Sequence, residues 1–363
     1  MAKVKNNKRV SILDIAAYVG ISKTTVGYVL SGQAEERRVS KKTAEKVLAA
    51  ADELNYVPHM WARNLARKST KVIGLIVAGY EYDWATQVTN GVVPVLENKG
   101  YMPMTSIHLW DPQRSEREIA ISQQRREDGI ICQPLPDCIE SYKKVITNGT
   151  PLLFISDTLE QMPDVSYVAW DSISAAKVAV EHLIQTGRRR IGFIGSSLVD
   201  LKYTKKRYLA YREMLEQASL DVDPAWIRWS NLSELVRRKV VLGADESSSE
   251  NNIRQLMTDI FENSSEKPDA FFFPHDSLAL QVYKVLLKMG IKVPDDIALV
   301  GMGDVPLSDD FGAGLTTVKE PLEQIGKVAA ETMLKLIKNP KSKPIQRLIS
   351  GNELKIRRSS VVQ

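Results

Sequence analysis

The sequence predicts a small helical unit at the amino terminus, followed by a large α/β core built on parallel sheets. Apolar residues recur at helical spacing between Ser11 and Leu54, and from Lys71 onward short apolar runs alternate with amphipathic stretches. Apolar runs of strand length that alternate with helices are typical of parallel sheets covered on both faces. With 363 residues, the chain is long enough for two such sheets beside the helical unit.

The composition is that of a globular protein, with 44% hydrophobic and 26% charged residues. No run of eighteen apolar residues is present, so we expect no membrane segment. The first twenty residues contain only short, interrupted apolar groups, which does not fit a secretion signal. The two cysteines, Cys132 and Cys138, are too few for a disulfide framework, and we expect plain thiols in a reducing cytoplasm.

Charge is distributed unevenly along the chain. Residues 1–70 contain 13 Lys and Arg against 6 Asp and Glu, whereas the rest of the chain has 36 against 38. A basic head on a slightly acidic body predicts a polyanionic partner for the head alone, and the alternative is a solvated basic tail.

The head contains the spacing of a helix-turn-helix. Ser11 is a candidate N-cap for a first helix, Gly20 suits the turn, and Ser22 is a candidate N-cap for a second helix. Ala16 and Val26 then fall where such motifs place the residues that pack the two helices together. A third helix in "VSKKTAEKVLAAADELNY" completes the predicted core.

The amino end of the second helix is the predicted DNA-contacting surface, because such helices place their first residues on base edges and phosphates. Gly27 would allow close approach of the backbone, and Tyr28, one turn past Thr24, would point into the groove; the alternative is a surface helix that tolerates one poor residue. The predicted DNA-binding residues of the head are Ser11, Ser22, Lys23, Thr24, Thr25, Gly27 and Tyr28.

Several motifs give the chain a family resemblance over essentially its whole length. "DIAAYVGISKTTVGYVLSG", "VEHLIQTGRRRIGFIG", "MGIKVPDDIALVGMGD" and "GLTTVKEPLEQIG" resemble the lactose/galactose-repressor (LacI/GalR) family of bacterial transcription regulators. The resemblance implies a helix-turn-helix headpiece (1–56), a hinge helix and linker (57–70), and an effector-binding and dimerisation core (71–363). It also implies a core of two interleaved, doubly wound parallel-sheet subdomains of the periplasmic-binding-protein type.

Partners and mechanism also follow from the resemblance. We expect a homodimer that binds double-stranded operator DNA, more as a repressor than as an activator, under the control of a small-molecule effector. In the family the hinge folds on operator DNA and wedges a leucine, here Leu65, into the minor groove. The alternative is a linker in which Leu65 only packs.

The head departs from the family pattern at two places. Gly27-Tyr28 stands where the family usually has Ser-Arg or Ser-His, and a tyrosine cannot make the bidentate contact that arginine makes with guanine. The segment "SGQAEERRVS" is also longer than usual. Arg37 and Arg38 in it are candidate phosphate contacts, although the neighbouring Glu35 and Glu36 make a solvated loop the alternative.

The predicted effector site lies beyond the carboxyl ends of the core strands, where parallel α/β sheets bind ligands. This rule selects Gln133, Asp157, Asp171, His275 and Asp276. The resemblance adds Arg207, supports Asp276, and leaves Trp84 or Tyr82 as the aromatic candidate and Trp170-Asp171 at a position where the family usually has Asp-Asn. Carboxylates, an arginine and an aromatic face suit a sugar, with a nucleobase as the alternative; each residue is alternatively an ordinary strand-end polar group.

Other protein classes fit less well. "GMGDVP" lacks the third glycine of a dinucleotide fingerprint, no GxxxxGK[ST] loop is present, and the four histidines have no metal-binding spacing. We therefore expect neither an enzyme nor a bound cofactor or metal. A secreted solute receptor shares the core fold but would have no basic helical head.

Overall fold

The computed structural model describes two compact units of the chain, Met1–Lys71 and Val72–Gln363. The predicted hinge segment falls mostly outside the described residues, so the three-part division at residues 56 and 70 stays a prediction. The described residues are 10–56, 69–79, 84–196, 202–230, 246–310, 312 and 314–361.

The first unit consists of three helices around one small core. The helices are α1 (Ile12–Val19), α2 (Lys23–Leu30) and α3 (Lys41–Glu53). Gly20 ends α1 in the left-handed conformation (φ 73°), which a residue without a Cβ adopts at little cost and which turns the chain into α2. Ile15, Val26 and Val47 supply one fully buried side chain from each helix, each worth about 1.5–3 kcal/mol.

The second unit contains two six-stranded sheets. The first has the order β11-β5-β4-β3-β1-β2 and the second the order β12-β10-β9-β8-β6-β7; all neighbours are parallel except β12, which is antiparallel to β10. The strands are β1 (Val72–Val77), β2 (Met102–Ile107), β3 (Gly129–Cys132), β4 (Leu152–Ser156), β5 (Ser166–Trp170), β6 (Ile191–Ser196), β7 (Ile227–Ser230), β8 (Ala270–Phe272), β9 (Ala298–Gly303), β10 (Thr316–Lys319), β11 (Gln346–Ile349) and β12 (Leu354–Lys355).

Helices connect most of the successive strands and cover the sheets. They are α4 (Trp84–Glu97), α5 (Pro112–Gln124), α6 (Ile139–Thr147), α7 (Ser172–Gln185), α8 (Lys202–Gln217), α9 (Glu246–Asn263), α10 (Asp276–Lys288), α11 (Leu307–Asp310) and α12 (Leu322–Lys338). Central strands such as β1 and β3 are buried at every residue, because helices pack on both faces. The predicted fold class is confirmed.

The chain passes between the two sheets three times. After β5 of the first sheet, α7 packs against β8, β9 and β10 of the second sheet; after β10, α12 packs back against β3, β4 and β5 of the first. The chain then adds β11 to the first sheet and β12 to the second. Each sheet is therefore completed by segments that come from the other, as expected for interleaved subdomains.

Two glycines allow α4 and α12 to approach closely. A Cβ on Gly91 would lie 2.0 Å from the Glu323 carbonyl oxygen, and one on Gly326 would lie 2.1 Å from the Val88 carbonyl oxygen. In both cases the obstacle is backbone, which cannot move aside as a side chain can. The packing of the returning helix α12 thus depends on these two positions.

Gly91→Ala is expected to destabilise the core by about 1–3 kcal/mol, because the helices must separate to admit the methyl group. Denaturant unfolding followed by circular dichroism measures this change. Gly27→Ala is the control: it also adds a methyl inside a helix, but outside that helix no atom in the described part of the chain lies within 4 Å of the added methyl. It should leave the core unchanged and stabilise the first unit by up to about 1 kcal/mol. Equal core stability for wild type and Gly91→Ala would contradict the packing requirement.

Candidate functional site

The first turn of α2 is an exposed polar surface. Ser22 is the N-cap, and its hydroxyl accepts a hydrogen bond from the Thr25 amide (3.1 Å) and lies 2.8 Å from the Thr25 hydroxyl. Lys23 and Thr24 are exposed. The helix therefore presents its positive amino end and one lysine to the surface, an arrangement that attracts phosphate.

Gly27 and Tyr28 lie half-buried in the middle of α2. Apart from the helix's own backbone and the two adjacent residues, no atom of the described residues would lie within 4 Å of a Cβ on Gly27, so packing among them does not require glycine there. The Tyr28 ring is covered on one side by the guanidinium of Arg37, whose central carbon lies 5.3 Å from the ring centroid. This contact was not predicted from the sequence.

Ser11 is the N-cap of α1 and forms a capping box with Asp14. The Ser11 amide donates to Asp14 Oδ2 (2.7 Å), and the Asp14 amide donates to the Ser11 hydroxyl (3.4 Å). The Ser11 side chain thus stabilises the helix start. Its contact with DNA stays a prediction, and so does that of Leu65, which lies outside the described residues.

In the second unit, Arg207 and Trp170 form a contact between the two subdomains. Trp170 ends β5 of the first sheet, and Arg207 lies on α8, which follows β6 of the second sheet. The guanidinium carbon of Arg207 lies 5.2 Å from the Trp170 ring centroid, within the range of a cation–π contact, and both residues are almost fully buried. We call the region around this pair, where the two subdomains meet, the cleft.

Glu320 extends this contact to Trp84. Its carboxylate, which follows β10, is hydrogen-bonded to the Trp84 side chain and interacts with the charge of Arg207. Burial raises the pKa of Glu320, while Arg207 and Trp84 oppose this rise. The site therefore contains a connected series Trp84–Glu320–Arg207–Trp170. Sequence reasoning missed Glu320, although the strand-end rule that selected its neighbours applies equally to it.

His275 also lies against Arg207. Its Nδ1 is 3.5 Å from Arg207 Nη1, which also donates a hydrogen bond to the Pro274 carbonyl oxygen. Burial, helped by the Arg207 charge, lowers the pKa of His275 well below its usual range, so the imidazole is neutral. The predicted residues Trp84, Trp170, Arg207 and His275 are thus brought together.

Asp276 is directed into the fold, where its carboxylate accepts hydrogen bonds from the protein. The donors are the Thr317 hydroxyl (2.7 and 2.9 Å to the two oxygens), the Ser308 hydroxyl (2.9 Å) and the Val305 amide (3.2 Å). Asp276 therefore holds the segment after β9. Its contact with an effector stays a prediction and would require it to share or exchange these donors.

Three further predicted residues also make contacts within the chain. The N-cap of α7 is Asp171, which accepts from the Ser174 amide (3.2 Å) and hydroxyl (2.7 Å). The Gln133 Oε1 accepts from the Ala78 amide (3.0 Å), and Asp157 Oδ1 lies 3.8 Å from Lys206 Nζ. Their side chains position the strand ends around the cleft, and their effector contacts stay predictions.

Several buried polar atoms near the strand ends have no hydrogen-bond partner among the described residues. They include Trp170 Nε1, the hydroxyl of Ser156 at the end of β4, and the hydroxyl of Thr204 on α8, three residues before Arg207. Buried polar groups are nearly always satisfied, so such a set calls for a ligand or water. The site thus offers two indoles, one guanidinium, one carboxylate and neutral hydroxyl groups.

The described residues offer no metal site or membrane span. In this part of the chain, no three His, Cys, Asp or Glu side chains are placed to hold a metal ion. No helix in the same residues is long and apolar enough to cross a membrane.

Comparisons with known proteins give matches to both units of the chain. A model described as bacterial regulatory proteins, lacI family, matches residues 11–59, and one described as a periplasmic binding protein-like domain matches residues 180–360. The HTH-type transcriptional repressor PurR of Vibrio campbellii is 29% identical, covering 91% of this chain and 92% of its own. The ribose operon repressor of Haemophilus influenzae is 27% identical, covering 90% and 92%.

Solved structures share the fold. The lac repressor dimer bound to operator and the anti-inducer ONPF superposes with a TM-score of 0.79 at 23% identity, covering 98% of this chain and 100% of that one. The transcriptional regulator CelR in complex with cellobiose gives a TM-score of 0.68 at 24% identity, covering 97% and 100%.

The buried carboxyl of Asp276 leads us to predict that stability depends on pH. Burial raises its pKa from 3.8 to about 6, so the folded chain holds this proton more tightly than the unfolded chain. The resulting stabilisation is complete below about pH 4 and is lost as the pH rises through about 6; the difference between the two pKa values corresponds to about 3 kcal/mol.

Asp276→Asn removes this titration. The free energy of unfolding of the wild type minus that of the variant should therefore fall by up to about 3 kcal/mol between about pH 4 and pH 7. Denaturant unfolding at a series of pH values measures it. A difference in unfolding free energy that stays constant over this pH range would contradict a raised pKa of the buried Asp276 carboxyl.

Proposed function

The chain belongs to the lacI family of bacterial regulatory proteins, and we propose that it is a repressor that binds operator DNA through its first unit and senses a sugar in its core. The family assignment rests on both matched regions and on the relatives above. It confirms the resemblance predicted from the sequence motifs. The relatives are transcriptional regulators, and we propose no catalytic role for this chain.

DNA binding is supported by the exposed amino end of α2. Ser22 caps this helix through its hydroxyl, so Lys23 and Thr24 are not needed as caps, and their side chains lie at the surface. The surplus of basic over acidic residues is confined to the first 70 residues. A short helix with a polar, positive end on a basic unit fits the major groove and its flanking phosphates.

Control by a ligand is supported by the contact of Arg207 with Trp170, the observation that carries the proposal. These residues belong to different subdomains, so a ligand that contacts both of them binds most tightly to one relative arrangement of the two subdomains. A ligand shifts an equilibrium only by its differential affinity for the two states, which is typically 1–3 kcal/mol in allosteric proteins. Operator DNA must then change ligand affinity by the same factor.

A sugar fits the groups around this contact. Sugar hydroxyls both donate and accept hydrogen bonds, which suits the Arg207 guanidinium, the Glu320 carboxylate and the unpartnered hydroxyls of Ser156 and Thr204. The apolar face of a sugar ring suits an indole, here Trp84 or Trp170. A nucleobase would use the indoles equally but fewer of the hydroxyl groups.

Assembly and location follow the same reasoning. One helix reads only a few base pairs, so we propose a homodimer on a two-fold symmetric operator. A regulator of this kind works where its DNA is, in the cytoplasm.

The full-length chain is expected to select a two-fold symmetric sequence from a library of random DNA duplexes and to bind it as two chains per site. Affinity should fall steeply with salt, with a logarithmic slope of about 0.9 per neutralised phosphate. Selection followed by binding titrations at several salt concentrations measures both properties. Deletion of residues 1–70 should abolish DNA binding while ligand binding persists. One chain per site, or no selected sequence, would contradict the proposal.

Arg207→Lys is expected to weaken effector binding by about 1.5–3 kcal/mol, because lysine keeps the charge but loses the planar fork and the contact with Trp170. Thermal shift and calorimetry against mono- and oligosaccharides, phosphosugars and nucleobases first identify the ligand; saturation at a hundred times the dissociation constant stabilises the chain by about 2.7 kcal/mol. Arg212→Lys is the control, since Arg212 lies exposed on the same helix and contacts the Tyr208 hydroxyl (3.3 Å).

The ligand panel also separates the alternatives. If only saccharides bind, the proposal is supported. If only nucleobases bind, the effector is a nucleobase and not a sugar. Equal affinity of wild type and Arg207→Lys for the identified ligand would place the effector elsewhere.

A further inference from the structure

The loop between α2 and α3 folds back onto the end of α2. The Gln33 amide (2.9 Å) and the Ser31 hydroxyl (3.1 Å) both donate to the Tyr28 carbonyl oxygen. Within the loop, the Arg37 amide donates to the Gln33 carbonyl oxygen (2.9 Å). These bonds fix the loop against the same turn of helix that carries the Tyr28 side chain.

Arg37 uses this loop to reach Tyr28. Its guanidinium lies over the Tyr28 ring at 5.3 Å, within the 6 Å or so at which a cation–π attraction operates. Tyr28 is half-buried and gives a firm platform, whereas Arg37 is exposed. When a guanidinium lies with its face on an aromatic ring, its N–H donors point outward from its edge and stay available for hydrogen bonds.

The neighbouring charges of the loop do not account for this position. Among the described residues, which include the whole loop, no ion pair joins Arg37 to Glu35 or Glu36. Arg38 differs from Arg37, because its backbone is left-handed (φ 54°) and its amide bonds to the Glu35 carbonyl oxygen (3.0 Å). Of these two adjacent arginines, Arg37 is the one placed on the α2 surface.

We propose that Tyr28 and Arg37 read the operator as one unit, with Tyr28 as the platform and Arg37 as the group that contacts a guanine in the major groove. This inference rests on the proposed operator binding. Tyr28 lies on α2 one turn beyond Thr24, so a guanidinium on its ring is carried by the groove-facing helix and not by a remote loop. Arginine is the side chain that pairs bidentately with guanine O6 and N7.

Together, Tyr28 and Arg37 can recognise a base that neither residue would recognise well alone. A tyrosine alone offers one hydroxyl and a ring, which discriminates weakly between bases. An arginine on a loop loses conformational entropy when it binds, and stacking on Tyr28 restricts the side chain before DNA arrives. Arg37 thereby supplies specificity, and Tyr28 supplies the preorganisation.

The test uses the full-length chain and the operator that wild type selects from random DNA duplexes. Affinity is then measured for every single-base variant of one half-site. Arg37→Ala should lose roughly ten- to a hundredfold in affinity for the selected operator and lose its preference for guanine at one position. Arg37→Lys should lose the same preference while keeping the charge.

Two further variants test the role of the ring. Tyr28→Phe keeps the platform and should retain the preference at that position, whereas Tyr28→Leu should relax it at the same position as Arg37→Ala. The double variant Arg37→Ala/Tyr28→Leu should bind the operator about as tightly as the weaker-binding single variant. The two effects should not add, because both changes disrupt the same unit. Arg38→Ala is the matched control and should keep the base preference. Circular dichroism confirms that each variant retains its helices.

Three outcomes would overturn the inference. One is an unchanged base preference in Arg37→Ala; another is an equal loss for all operator variants with a salt slope lower by about one, which is the behaviour of a phosphate contact. The third is independent, additive effects of the two positions at different bases. Failure of wild type to select any DNA sequence is a different result, because it removes the proposed function itself.

Discussion

The core depends on a chain that crosses between its two sheets three times. A helix from the end of β5 covers the second sheet, a helix from the end of β10 covers the first, and β11 and β12 complete one sheet each. Neither subdomain has a complete core without segments supplied across the cleft. The close approach at Gly91 and Gly326 fixes the second crossing, because backbone there packs directly on backbone.

The cleft residues lie at these crossings. Trp170 is the last residue of β5 and Glu320 comes just after β10, so both stand where the chain leaves one sheet for the other. Arg207 contacts both of them, through the indole of Trp170 and the charge of Glu320. A ligand bound at the proposed site would touch the segments that connect the two subdomains, where we expect a small local change to alter their relative placement.

Much of the fold was predictable from the sequence, because strands buried on both faces and helices with one apolar face leave periodic patterns. That strand-end residues such as Asp171, His275 and Asp276 lie at the carboxyl edges of the sheets was predictable too, since parallel strands all end at one edge. What each side chain does at that edge was not. Asp276 meets Ser308 and Thr317, which lie 32 and 41 positions away in the chain, and only the fold shows that they saturate its carboxylate.

The head shows the same limit on a smaller scale. Its helices follow from local signals: Ser22 caps α2, Gly20 makes the turn, and apolar residues recur at helical spacing. The position of Arg37 depends instead on a loop whose path is set by backbone bonds to Tyr28 and by the left-handed Arg38. The sequence therefore indicated a groove-facing Tyr28 but left open whether Arg37 and Arg38 contact phosphate or only solvent.

The segment after β9 bears on how the cleft responds to a ligand. Asp276 holds it from one side through Val305 and Ser308, and Arg357 holds it from the other through Asp304 and Asp309, both at 2.8 Å. Since both sides of this segment are tied to the second sheet, we expect it to move together with that sheet. The adjustable contacts are then those that span the subdomains, Arg207 with Trp170 and Lys206 with Asp157. We therefore expect a ligand at the proposed site to act by rotating the two subdomains at the crossings, because the local loops are held by several hydrogen bonds and ion pairs whereas few contacts span the cleft.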